Sequence, residues 1–448
     1  MERHSSAKPT PRGRIVRLAL LFGTIYFVQG LSDPTTGIVA QPDQSLLRSW
    51  GENPRQIASF VAVLELPWCF KPLFGLLSDF FPLAGSRRRS YLVLTSLVAT
   101  VGFAGLYWLP LVRGALDHLL LWLLPATVAV VFANVVIDAL MIETGQPEGI
   151  TGQLQSVQWA AVYAGTIVTG ILGGLLSEHH LIQLGFLLCA GLMAGTFVLT
   201  VFVVPERRST APRESWLTVR SALRKAIATK EVLAVGGLML LWHFNPFCPA
   251  VLYFHMTGPA GFSDEFYGQT VSLNAIGSLA ACVAYGYYCR RVSPRHLVHW
   301  SIVAGVAGTW VYWLQSGKAS AVAISMVAGF LYMTASMILV DLAARACPIA
   351  AAGTVFALFM AIGNVSTAMT TWLGGQVYHV VNQRCDADAA FAIVIGMGGV
   401  LTATSWLAVR FLPDRLFAIP GSRWEERLVQ RTTRGRTKRG RGEEGTGG

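Results

Sequence analysis

Apolar runs of about twenty residues recur along the whole chain, each long enough to cross a bilayer as a helix. In order they predict spans near 15–39, 57–81, 91–111, 119–143, 153–174 and 181–204, then a polar stretch, then spans near 231–256, 264–289, 296–315, 319–345, 350–379 and 389–412. The polar residues inside these runs are not scattered. In the first span Tyr26, Gln29 and Asp33 follow one another at spacings of three and four, on one helical face. The second span holds Glu65, Lys71 and Asp79, and the fourth holds Asn134 and Asp138 one turn apart. The fifth opens on Gln153, Gln155, Gln158, Trp159 and Tyr163, whereas the third, sixth, ninth and twelfth are nearly plain. A charge at a helix centre costs about 2.5–3.5 kcal/mol, and each Leu or Phe returns only about 0.3–0.6. Lys71 therefore needs a partner or a wet cavity.

The second six spans repeat the rhythm of the first. Asp341 follows Asp138 by 203 residues, Gly374-Gly375 follows Gly173-Gly174 by 201, and Gly353 follows Gly152 by 201. Agreement in order and spacing together marks a parallel internal repeat, as in transporters built from two like halves. The expected organisation is an all-α polytopic membrane protein: a disordered cytoplasmic lead at 1–14, a six-helix bundle at 15–205, a basic cytoplasmic linker at 206–230, a second six-helix bundle at 231–412, and a disordered basic tail at 413–448.

Composition agrees with the spans: 53% of the 448 residues are hydrophobic and 13% charged, about half the charge of a soluble domain. The net charge of +11 then reads as a topology signal. With the N-terminus inside, about 28 of the 35 Lys and Arg fall on the cytoplasmic side, and Arg48, Arg55, Arg113, Lys318 and Arg384 on the outer side. Both termini are expected in the cytoplasm, and the plasma membrane, or bacterial inner membrane, is the expected location. The Arg- and Gly-rich tail lacks interleaved aromatics, so anionic lipid is its expected partner and nucleic acid is not. The seven cysteines form no C-x-x-C pair, and no metal-ligand cluster is visible. The first apolar stretch is too long for a secretory signal and has no clear cleavage site. Gly396, Gly398 and Gly399 lie in a span with no strand before them, and no Ser-His-Asp order can be placed. No enzyme and no cofactor are expected.

Lys71-Pro72-Leu73-Phe74-Gly75 leads through Ser78-Asp79, Pro82-Leu83 and Gly85 to Arg87-Arg88-Arg89 and Tyr91-Leu92. Gly75, Asp79 and the arginines resemble the loop between the second and third spans of the major facilitator superfamily. The whole stretch is similar to the folate-biopterin transporter family, as are Tyr26-Phe27-Val28-Gln29-Gly30-Leu31, Val136-Ile137-Asp138-Ala139-Leu140 and Gly353-Thr354-Val355-Phe356-Ala357-Leu358. Ala350-Ala351-Ala352 departs from the family pattern, which has a Gly and a Glu before this last motif. The resemblance implies twelve spans in two bundles around a central cavity, a monomer, and proton-coupled alternating access for a small polar solute of folate or pterin type. A muropeptide or other organic-anion permease of the same fold is the alternative, and a non-transporting membrane scaffold the reading from another class.

Each candidate residue carries two readings. Asp33 and Asp138 are proton-coupling candidates, since an intramembrane carboxylate without a local cation often shuttles protons; each could instead cap a helix break. Asp341 has Arg345 at i+4 and is expected to be structural, with Arg345 also a candidate for the solute. Lys71 either bridges to Asp138 or Glu65 or attracts an anionic solute. Gln29, Asn134, Gln158, Trp159, Tyr163, His243, Asn274 and Asn364 are candidates for a flat heteroaromatic ligand, which needs a stacking face and several hydrogen bonds. Gly75, Asp79, Arg87, Arg88 and Arg89 are expected to form an inner gate and its charge contact.

Overall fold

The computed structural model describes residues 12–86, 88–112, 114, 116–145, 150–204, 228–288, 291–347 and 352–417. The first span is made of α1 (Arg12–Ser32) and α2 (Ala40–Ser49), the second of α3 (Pro54–Cys69) and α4 (Lys71–Phe80). Helices α5 (Arg89–Trp108), α6 (Leu116–Gly145), α7 (Thr151–Glu178) and α8 (Ile182–Val203) complete the first half. In the second half α9 (Lys230–His243) and α10 (Pro249–Thr257) share one span, followed by α11 (Asp264–Tyr288), α12 (Pro294–Trp310), α13 (Lys318–Ala346), α14 (Ala352–Asn382), and α15 (Ala387–Ala403) with the short α16 (Ser405–Val409). Among the described residues, ten helical stretches are long and apolar enough to cross a membrane. The seventh span, cut in two, and the eighth, rich in polar residues, complete twelve.

The first and seventh spans break at corresponding places, and in each a side chain takes over what the backbone gives up. After α1, Asp33 accepts from the Thr35 amide at 3.0 Å and from the Thr35 and Thr36 hydroxyls at 2.9 and 2.8 Å. After α9, Asn245 Oδ1 accepts from the Phe247 amide at 3.0 Å, and its Nδ2 donates to the Thr309 hydroxyl at 2.8 Å. Asx turns of this kind compete with helix, and Pro246 and Pro249 cannot supply the amides a continuous helix needs. The second span bends at Phe70, between Pro67 and Pro72.

Two expectations change here. The first span does not end near Val39 but resumes as α2, and Arg48 lies in that helix, with its guanidinium 6.0 Å from the Phe254 ring, and not in an outer loop. Sequence hydropathy misses α2 because Gln41, Asp43, Gln44 and Ser45 are polar, yet all four are buried. Arg87, most of the linker, most of the tail and Ala350-Ala351 lie outside the described residues.

Each half has its own apolar core, around Phe103, Leu123 and Phe186 in the first and Leu238, Ile302 and Phe359 in the second. Consecutive spans run antiparallel, so the bundle has a near end, where α1 starts and α4 stops, and a far end, where α2 stops and α3 starts. The halves are fastened at the far end. There Gly170 and Gly174 of α7 meet Gly268 of α11, and Gly375 of α14 meets Ala58 of α3. In a bilayer, where apolar surface alone does not drive helices together, small residues permit this approach. Gln41 Nε2 donates to the Asp264 carbonyl and Ser45 Oγ to the Asp264 carboxylate, each at 2.6 Å, and Ser272 Oγ donates to the Ile167 carbonyl at 2.8 Å.

Candidate functional site

Six polar side chains of the first half converge at mid-depth. Tyr26 donates its hydroxyl to Asp138 Oδ1 at 2.5 Å, and Gln158 Nε2 donates to the same oxygen at 3.1 Å. One turn away on α6, Asn134 accepts from Lys71 Nζ at 2.8 Å and donates to Gln29 Oε1 at 3.3 Å. The Lys71 ammonium also lies over the Trp68 ring, 4.5 Å from its centre. The three-and-four spacing on α1, the one-turn spacing on α6 and the bend before Lys71 bring these groups to one wall. Of the two partners read for Lys71, neither takes its hydrogen bond, which goes to Asn134.

The opposite wall contributes less directly. Asn364 of α14 donates to the Trp68 carbonyl at 3.0 Å, across the halves. Trp159 and Tyr163, stacked 6.1 Å apart on α7, reach α13 through a 2.6 Å contact of the Tyr163 hydroxyl with Met333 Sδ. His243 stands at the end of α9, where its Nδ1 lies 2.9 Å from the Met239 carbonyl, and Gly363 of α14 packs on its ring. Because a carbonyl only accepts, Nδ1 carries a proton. Asn274 is turned to the Ser325 carbonyl of α13 at 3.3 Å, a helix-packing contact. Arg345 pairs with Asp341 at 2.9 Å one turn apart on α13, both half-exposed.

Asp33 lies in the first-span break, within electrostatic reach of Lys71, with its carboxylate accepting from Thr35 and Thr36. Among the described residues, Gln29 Nε2 and Trp68 Nε1, both close to Lys71, are buried without a protein partner. Trp68 escapes sequence reasoning because, in a membrane chain with thirteen tryptophans, any single one reads first as an interfacial anchor. Its signal was the lysine three residues on.

The loop arginines do different work. Gly85, at φ +79°, turns the chain so that Ser86 and Arg88 fold back under α4. Arg88 then bridges Asp79 at 2.5 Å and Glu143 at 2.7 Å and donates to Ser78 Oγ at 2.7 Å. Arg89 donates to the Val201 carbonyl at 2.5 Å. These contacts tie α4, α5, α6 and α8 of one half to each other. Glu143 went unrecognised in the sequence because a lone acid at a span end has no distinguishing spacing.

The model of the BT1 family matches residues 38–415. The chain belongs to the BT1 family. It is 26% identical over 422 residues to the folate-biopterin transporter of Synechocystis sp. (strain ATCC 27184 / PCC 6803 / Kazusa), covering 88% of this chain and 84% of that protein. It is 25% identical over 352 residues to probable folate-biopterin transporter 5 of Arabidopsis thaliana, covering 73% and 70%. Among solved structures, the nucleoside transporter NupG superposes with a TM-score of 0.68 at 15% identity, covering 87% of this chain and 98% of that one. The D-xylose-proton symporter superposes with a TM-score of 0.69 at 14% identity, covering 90% and 98%. The fold is thus of the major facilitator type. This member of the BT1 family is an integral membrane transporter for a small molecule, and not an enzyme.

Proposed function

We propose that the chain carries a small anionic heteroaromatic solute of folate or pterin type by alternating access, coupled to protons. The relatives named for folate and biopterin support the solute class. The observation that carries the coupling is Asp138, held at mid-depth by Tyr26 and Gln158 and one turn from the residue that holds Lys71. A carboxylate in a span belongs where it can take up and release charge. In this reading Lys71 receives the solute's carboxylate, Trp68 and Trp159 offer ring faces, and Gln29 Nε2 and Trp68 Nε1 meet ring acceptors. The far-end seal leaves the near end as the route in and out of this conformation. The chain works as a monomer in the plasma or bacterial inner membrane, with both termini cytoplasmic.

The departure at Ala350-Ala351-Ala352 favours a second reading, a different organic anion such as a muropeptide on the same site. Uptake of labelled folate and biopterin into vesicles holding the purified protein, with and without an inward proton gradient, separates the two. Gradient-driven accumulation is expected for at least one, and Asp138→Asn is expected to abolish accumulation while leaving solute exchange. If folded protein takes up neither, the search moves to other organic anions; if Asp138→Asn accumulates solute normally, coupling lies elsewhere.

A further inference from the structure

We propose that Glu65 is the proton-binding group of the seam between the two halves, neutral when α3 and α14 are closed on each other at the far end and ionised when they part. This goes beyond coupling at Asp138 and concerns the gate itself. Helix α3 runs away from the far end and α14 toward it, so the two pack antiparallel. Two contacts fix their register: Ala58 meets Gly375 at the far end, and the Trp68 carbonyl accepts from Asn364 at 3.0 Å deeper in the molecule. Glu65 lies seven residues after Ala58 and three before Trp68, and Thr371 four before Gly375 and seven after Asn364, so each falls on the contact face of its helix. Thr371 accordingly stands beside the Glu65 carboxylate. Glu65 Oε2 and the Thr371 hydroxyl are both buried, and among the described residues neither has a formed hydrogen bond.

Much of what covers this carboxylate belongs to the other half. Besides Thr371, Cys248 of α10 and Tyr332 of α13 lie within electrostatic reach of it, and Cys248 Sγ donates to the Thr371 carbonyl at 3.9 Å. The first half adds Asp33 and, one turn along α3, Cys69. Among the described residues no cation joins this group. Lys71 faces Asp33 and Asp138 and donates to Asn134, and Arg48 of α2 is turned to Phe254. His255 of α10 is stacked on Phe391, and His243 of α9 lies against Gly363, two turns from Thr371. An ionised Glu65 enclosed here faces a second acid, and one neutral hydroxyl does not offset the loss of its hydration. The proton removes both costs and lets the carboxyl donate to the Thr371 hydroxyl. Parting α14 from α3 takes Thr371 away and admits water, so closure and proton uptake favour each other.

The test reads the gate without solute or gradient, so its failure is distinct from failure of coupling at Asp138. Arg55 at the start of α3 and Gln383 just past the end of α14 are exposed at the far ends of the two seam helices. Spin labels on cysteines placed there, with the native cysteines replaced, report the seam's separation as pH is varied. Protein with Glu65 intact is expected to be closed at low pH and to open as pH rises. Glu65→Gln, which keeps the shape of the neutral acid, is expected to stay closed throughout, and Glu65→Asp to titrate with a displaced midpoint. Infrared difference spectra between the closed and open states are expected to show a protonated-carboxyl band that Glu65→Gln lacks. A Glu65→Gln protein that opens with pH as its parent does overturns the proposal. So does closure of the parent by sodium at high pH, which would make Glu65 a cation ligand. Should Glu65→Gln not fold, an unshifted midpoint in Glu65→Asp overturns it equally.

Discussion

Arg88 shows how much one side chain decides at the near end. Its own side chain is 10% exposed, while Asp79 and Glu143 are 49% and 45% exposed, so a buried fork meets two acids that water still reaches. Hydrogen bonds to charged groups contribute about 1.5–3 kcal/mol, and solvent screening takes the acids' share toward the low end. Arg88→Ala is expected to lower stability by roughly 1–3 kcal/mol, seen as a reduced melting temperature of the purified protein. Arg88→Lys is expected to recover only part, because a point charge cannot serve Ser78, Asp79 and Glu143 at once. Equal stability of the alanine variant would mean that the bridge is ornamental. The sequence shows the arginines and Asp79 but not which arginine is buried, since that follows from the turn at Gly85 and from Glu143 arriving from 55 residues further along the chain. Asp33 and Asp138 likewise look alike as intramembrane acids. Only the break after Ser32 separates a carboxylate filled by threonine donors from one held among the side chains of three helices.

Helix contacts set the scale at which the two halves lock. A methyl group on Gly268 would run into the Gly170 carbonyl and the Gly174 backbone, neither of which can move aside without shifting α7. Overpacking of this kind costs about 1–3 kcal/mol, here charged only to the closed far end. Gly268→Ala is therefore expected to tilt the equilibrium toward an open far end, by roughly ten- to a hundredfold in population. Spin labels at Arg55→Cys and Gln383→Cys, both at the far end, in a background with the native cysteines replaced, would read this as a longer separation. A variant as closed as wild type would show that the α7–α11 contact does not hold the gate. The glycine pairs at 173–174 and 374–375 are visible in the sequence as a repeat, but their partners are not. Each half pairs its glycine with a helix of the other half, Gly174 with Gly268 and Gly375 with Ala58, and no spacing along the chain announces a contact across a pseudo-repeat. The same holds for α2, whose burial comes from its neighbours and not from its own apolar content.

At the scale of the whole molecule, what was legible is what a bilayer demands of any chain: segment length, apolar content and charge asymmetry, which together predict twelve spans and two halves. What was not legible is how those spans are cut, because a break stabilised by Asp33 or Asn245 leaves the apolar run almost intact. Orientation is the remaining whole-molecule expectation, and a native residue tests it. Among the described cysteines Cys385 is the exposed one, in the far-end turn between α14 and α15, while Cys69, Cys189, Cys248, Cys282 and Cys347 are buried or half-buried. Cytoplasmic termini place that turn outside the cell. A membrane-impermeant thiol reagent applied to intact cells is then expected to label Cys385, with Cys385→Ser removing the signal. Sealed inside-out vesicles are expected to leave it unlabelled until they are permeabilised. The reverse pattern would invert the protein in the membrane, and with it the side to which the site around Lys71 and Asp138 is now open.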